Sequence, residues 1–260
     1  MQQSIRFSLR RRLQEALIRG AIWAFIGLLY ALLFTFFSAF AEHWRLPVNP
    51  IFLAGIVAST LGALIYSSMR LAVLMTAIIS PLSIFYFILA TWPVDLLNLL
   101  LGGSVIGAIV GALYGIFSMG SRIYRADAKT LAGFCAGWLV SLGYLLTTYF
   151  GSYSLGALVA VMCPLTGLLY VLMVPHFIKY YDNLLPPVGD GLLVGVGISG
   201  FIAMSFFVMI GSLDGSVAGP LLPLLEAVHR NLPKALLGGV LGGAGAGVAS
   251  GLLLRNWQDL

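Results

Sequence analysis

The chain has 260 residues, of which 60% are hydrophobic and only 9% charged, against about 25% charged in an ordinary soluble domain. So much apolar side chain excludes a soluble fold and fits helices that meet lipid on all sides. The net charge of +5 is too thinly spread for a basic nucleic-acid face.

A membrane span needs about 20 apolar residues. Eight uncharged stretches have that character: Ala21–Ala41, Pro50–Tyr66, Leu71–Thr91, Leu96–Met119, Thr130–Phe150, Leu155–Val174, Gly191–Gly211 and Ala235–Leu254. The sequence therefore predicts an all-α, polytopic transmembrane bundle of about eight spans.

The N-terminal segment 1–20 is basic. Ile5, Leu9, Leu13 and Leu17 recur every fourth residue among arginines, which places the aliphatics on one helical face. That pattern suits a helix lying on an anionic leaflet, or a charged tail that orients the first span. With the N-terminus inside, Arg6, Arg10, Arg11, Arg12, Arg19, Arg70, Arg122, Arg125, Lys129, Lys179 and Arg255 fall on the inner side, and only Arg45, Arg230 and Lys234 fall outside. Basic residues stay cytoplasmic, so both termini are expected in the cytoplasm, with a bacterial inner membrane as the best-fitting location.

The fourth span carries Gly103, Gly107, Gly111 and Gly115, and the eighth carries Gly239, Gly243, Gly247 and Gly251. Residues four apart share a helix face, and glycine there lets another backbone come close. These eight glycines are the helix-packing candidates. Leu100-Leu101-Gly102 and Leu236-Leu237-Gly238 precede the two rows. Ala72, Thr76, Ser80 and Asp95 match Gly191, Gly195, Ser199 and Asp214 at a constant offset. Together these suggest a parallel duplication of a four-helix unit, 21–119 and 130–254.

Pro81 and Pro164 lie within the third and sixth spans, where each removes a backbone donor and bends its helix. Cys135 and Cys163 sit in different spans without metal-ligand spacing, as expected of small buried residues rather than a disulfide. The stretch Gly195 to Gly200 matches G-x-G-x-x-G, but inside a span and without a preceding strand it is no dinucleotide loop. No catalytic, cofactor-binding or metal-binding set is predicted, and no enzyme activity.

Two connections are richer than the rest. His176, Lys179, Tyr180, Tyr181 and Asp182, just before Pro186-Pro187, form either an interfacial aromatic anchor or a docking patch for a cytoplasmic subunit. The outer segment 211–234 contains Leu221, Leu222, Leu224, Leu225 and Val228 beside Glu226, His229 and Arg230, which predicts an amphipathic interfacial helix or a re-entrant hairpin.

The acids and histidines all lie in loops, tails or span ends, which weighs against proton-coupled or redox-driven machinery. Two expectations remain. One is a permease-like membrane subunit for an apolar, amphipathic or passively conducted substrate, dependent on partner subunits. The other is a non-transporting scaffold of a membrane complex. The partners expected are the bilayer and other membrane or cytoplasmic subunits, with a second copy of the chain a further candidate.

Overall fold

The computed structural model describes residues 2–89, 96–117, 125–147, 153–181, 185–213 and 222–253. Eight α-helices follow in order: α1 Gln2–His43, α2 Pro50–Ser67, α3 Met69–Leu89, α4 Leu96–Phe117, α5 Ala126–Thr147, α6 Leu155–Tyr180, α7 Pro187–Leu213 and α8 Leu222–Leu253. No strand occurs among the described residues. Every helix is long and apolar enough to cross a membrane, since about 20 residues at 1.5 Å each span the hydrocarbon.

The side chains left on the outside agree with that solvent. Phe117 is 80% exposed and Ile88 74%, a placement that suits rings and branched chains of this size in lipid. In hydrocarbon the backbone must satisfy itself, and so must the hydroxyls. Thr35 donates to the Ala31 carbonyl at 2.7 Å, Thr60 to Ile56 at 2.7 Å and Ser250 to Gly247 at 2.9 Å.

Local signals set the helix ends. Asn49 caps α2, its side-chain oxygen accepting the N–H groups of Ile51 at 3.0 Å and Phe52 at 3.2 Å, with Pro50 at the first helical position. Ser154 caps α6 through the Ala157 N–H at 3.3 Å. α1 closes with Arg45 in the left-handed region at φ 47°. There Leu46 N–H reaches the Ala41 carbonyl at 3.0 Å and Arg45 N–H reaches Glu42 at 3.1 Å. This is a Schellman end with arginine where glycine is usual.

Several helices outrun the spans read from the sequence. No break separates the basic N-terminal segment from the first span, and α1 runs from Gln2 to His43 as one element. Ala16 is buried. Likewise residues 222–234 of the outer segment are the first turns of α8, continuous through Pro233. Leu224, Leu225 and Val228 turn inward and Glu226, His229 and Arg230 outward. Leu221 and residues 214–220 of that segment lie outside the described residues.

The chain divides into two compact units. One comprises 1–62, 133–176 and 230–260, the other 63–132 and 177–229. Each unit draws on both halves of the sequence. In the first unit, Trp23, Val171 and Ala246 form a buried cluster joined by Ile26 and Tyr170, so α1, α6 and α8 share a core. In the second, Phe87, Leu99, Ala203, Phe207 and Leu225 do the same, flanked by Tyr86, Leu96, Leu100 and Phe206. That core joins α3, α4, α7 and the start of α8.

Candidate functional sites

The glycine row of α4 faces α7. A Cβ added at Gly107 would fall on the Ser199 hydroxyl and the Gly195 carbonyl, one at Gly111 on the Gly191 carbonyl, and one at Gly115 on the Pro187 carbonyl. At Gly103 the nearest atom is the Ala203 Cβ, at 3.4 Å. The contact is reciprocal, because Gly191 and Gly195 would meet the carbonyls of Gly111 and Gly107. Gly195 of the G-x-G-x-x-G stretch is thus occupied by a neighbouring helix.

The row of α8 faces α1. A Cβ at Gly239 would fall on the Gly27 carbonyl, at Gly243 on the Trp23 carbonyl, at Gly247 on the Arg19 carbonyl and at Gly251 on the Ala16 Cα. A second face of α8 meets α6, where Gly238 approaches the Gly156 carbonyl and Gly242 the Ala160 carbonyl and Pro164 Cδ. In lipid, such backbone proximity holds helices together by dispersion and Cα–H···O contacts, since there is no water to exclude.

A pair of acids that the sequence does not single out ties the start of α5 to the start of α7. Asp127 is 7% exposed and Asp190 4%. The Asp190 carboxylate accepts the Asp127 N–H at 3.2 Å and also the N–H groups of Ala126 and Arg125, which caps the beginning of α5. Asp127 Oδ2 in turn accepts the Leu185 N–H at 2.9 Å, just ahead of α7, and its Oδ1 accepts the Ala128 N–H at 2.7 Å. Arg125, held at φ 67°, donates to the Ile178 carbonyl at 3.3 Å.

The aromatic segment before α7 is the end of α6, which runs unbroken through Pro175 to Tyr180. The His176 ring nitrogen Nδ1 lies 3.1 Å from the Leu172 carbonyl. Lys179 Nζ is 5.8 Å from the Tyr180 ring centroid, and Phe177 stacks on Tyr181 at 5.4 Å. Tyr180 is 73% exposed and Tyr181 42%. Asp182 lies outside the described residues.

A hollow of about 640 Å³ opens between α5 and α6. Leu139, Val140, Val161, Met162, Leu165 and Leu169 line its length, while Tyr144, Thr147 and Tyr153 bring hydroxyls to the end nearest the α5–α6 connection. Small residues make the space: Gly143 has nothing within 4 Å of where a Cβ would stand, and Ala157 faces it across the hollow. Cys135 and Cys163 are free thiols, and among the described residues no cluster of three or more His, Cys, Asp or Glu side chains is placed to hold a metal. No protein-family model matches the chain, and no curated protein or solved structure matches it.

Proposed function

We propose that this integral membrane protein is a permease-like subunit that handles an apolar or amphipathic molecule together with partner subunits. The observation that carries the reading is the hollow between α5 and α6. It is apolar along its length and hydroxyl-bearing at one end, the polarity profile of an amphipathic guest lying along a helix pair. Its volume falls within the range of about 300–1,000 Å³ usual for small-molecule sites. The spans contribute no ionised side chain to hold an ion, which favours a guest without a buried charge. The exposed aromatics Tyr180 and Tyr181 at the end of α6 offer a surface for a partner outside the bilayer.

The test is a cysteine scan in a background lacking Cys135 and Cys163. Single cysteines at Leu139, Gly143, Ala157 and Val161 are exposed to a water-soluble maleimide in membranes. Labelling at Gly143 or Val161 that a candidate amphiphile blocks supports a pathway. Reaction only with a lipid-soluble maleimide, unaffected by any amphiphile, overturns it.

A second reading, a non-transporting scaffold, is favoured by a separate observation: the backbones of α4 and α7, and of α1 and α8, are in direct contact along their glycine rows. Recovery of the protein in a stoichiometric complex of other integral proteins, with no maleimide labelling in the hollow, decides for that reading.

A further inference from the structure

The short turn between α2 and α3 carries a second hollow, unlike the first in chemistry. It measures about 250 Å³ and is lined by Tyr66, Ser67, Ser68, Met69, Arg70, Leu71 and, from α4, Tyr114. No carboxylate lines it. Arg70 is exposed and, among the described residues, no acidic side chain pairs with it. The volume equals roughly eight waters at about 30 Å³ each, room for a tetrahedral oxyanion and the start of its ester arms.

The donors fit that shape. A guanidinium presents a planar fork matched to phosphate oxygens and is the side chain of choice for two-point recognition. Tyr114 adds a hydroxyl from the facing helix. The first bond of the α3 ladder runs from the Ala72 N–H to the Ser68 carbonyl at 3.0 Å, so the N–H groups of Met69, Arg70 and Leu71 stand ahead of the ladder on the same wall. The Ser67 and Ser68 hydroxyls are engaged with the Leu64 carbonyl at 2.8 Å and 2.9 Å, while Arg70, Tyr114 and Tyr66 bring the remaining side-chain donors to the lining. Tyr114 is held in place by its neighbour, because Gly115 sits against the Pro187 carbonyl of α7.

We propose that Arg70 and Tyr114, with the opening turn of α3, bind the phosphate of an anionic phospholipid headgroup. The position selects the lipid over a phosphate free in solution. The hollow lies at the ends of α2 and α4 and the start of α3, at the level where a spanning helix meets headgroups, and exposed Met69 beside it offers an apolar flank to the acyl chains. Arg70 also belongs to the basic side of the chain, where anionic lipid is attracted.

The experiment uses the full chain in mild detergent and follows its melting temperature. Short-chain phosphatidylglycerol, short-chain phosphatidylcholine and inorganic phosphate are titrated separately. Phosphatidylglycerol is expected to raise the melting temperature saturably and more than phosphatidylcholine does. The midpoint should weaken by roughly tenfold or more in Arg70→Gln and by less in Arg70→Lys, which keeps the charge but not the fork. Tyr114→Phe should weaken it as well, while Lys234→Gln, which is not part of the lining, should leave it unchanged. Because Arg70 is exposed, the lipid-free melting temperature of Arg70→Gln should match the parent, which separates lost binding from lost folding. Equal effects of the two lipids, or an undiminished phosphatidylglycerol effect in Arg70→Gln, overturns the site. An Arg70-dependent shift with inorganic phosphate and none with phosphatidylglycerol overturns the lipid assignment.

Discussion

Two substitutions of the same kind, nine residues apart on α4, should move stability in opposite directions. Gly102 has nothing within 4 Å of where a Cβ would stand, whereas at Gly111 that atom would overlap the Gly191 carbonyl of α7. Exchanging glycine for alanine in a helix interior removes backbone freedom from the unfolded chain and gains about 0.8–1 kcal/mol. At Gly102 that gain is unopposed, so Gly102→Ala should stabilise by roughly that amount. At Gly111 the methyl meets backbone, which has no rotamer to move aside, and overpacking of this kind costs about 1–3 kcal/mol. The upper part of that range applies, so after subtracting the propensity gain Gly111→Ala should destabilise by about 1–2 kcal/mol. The two variants should therefore differ by about 2–3 kcal/mol. Reversible unfolding in mixed micelles with increasing SDS reads that difference directly. If Gly111→Ala were as stable as Gly102→Ala, the close approach of α4 and α7 would be refuted. Gly191→Ala, the reciprocal contact, should behave as Gly111→Ala does.

The Asp127–Asp190 clasp predicts a loss of stability when the cap is removed. Asp190→Ala leaves the N–H groups of Arg125, Ala126 and Asp127 without their acceptor and should cost about 0.5–2 kcal/mol, read as a lower melting temperature in detergent; an unchanged melting temperature would contradict the cap. Arg45, left-handed at the end of α1, predicts that Arg45→Gly stabilises by roughly 0.5–1 kcal/mol, since glycine adopts that backbone without the Cβ clash. A lower melting temperature for Arg45→Gly would count against the Schellman end.

The spans were readable because hydrocarbon tolerates no ionised side chain, and the uncharged stretches therefore mark each crossing. The helix ends were less readable. Hydropathy registers only the part of a helix that meets lipid, while backbone hydrogen bonding carries α1 back to Gln2, α6 on to Tyr180 and α8 back to Leu222. The rows Gly103–Gly115 and Gly239–Gly251 stand out in the sequence as single faces, but their counterparts do not, because a carbonyl such as that of Trp23 or Pro187 leaves no mark on residue type. Asp127 and Asp190 looked like ordinary span-end acids. They lie 63 residues apart, and only the meeting of two helix starts makes one the cap of the other. The hollow beside Arg70 was hidden for a similar reason, since Tyr114 reaches it from a different helix.

The pairing of α8 with α1 has a consequence for biogenesis. α1 precedes α8 in the chain, and the strip from Ala16 to Gly27 receives this neighbour only when Gly239–Gly251 arrives more than 200 residues later. At the usual elongation rate of about 5–20 residues per second, that strip waits on the order of ten seconds or longer with its carbonyls turned to lipid or to the insertion machinery. A chain interrupted before Gly239 would leave α1 without this neighbour, and such a product should be a preferred target of membrane quality-control proteases.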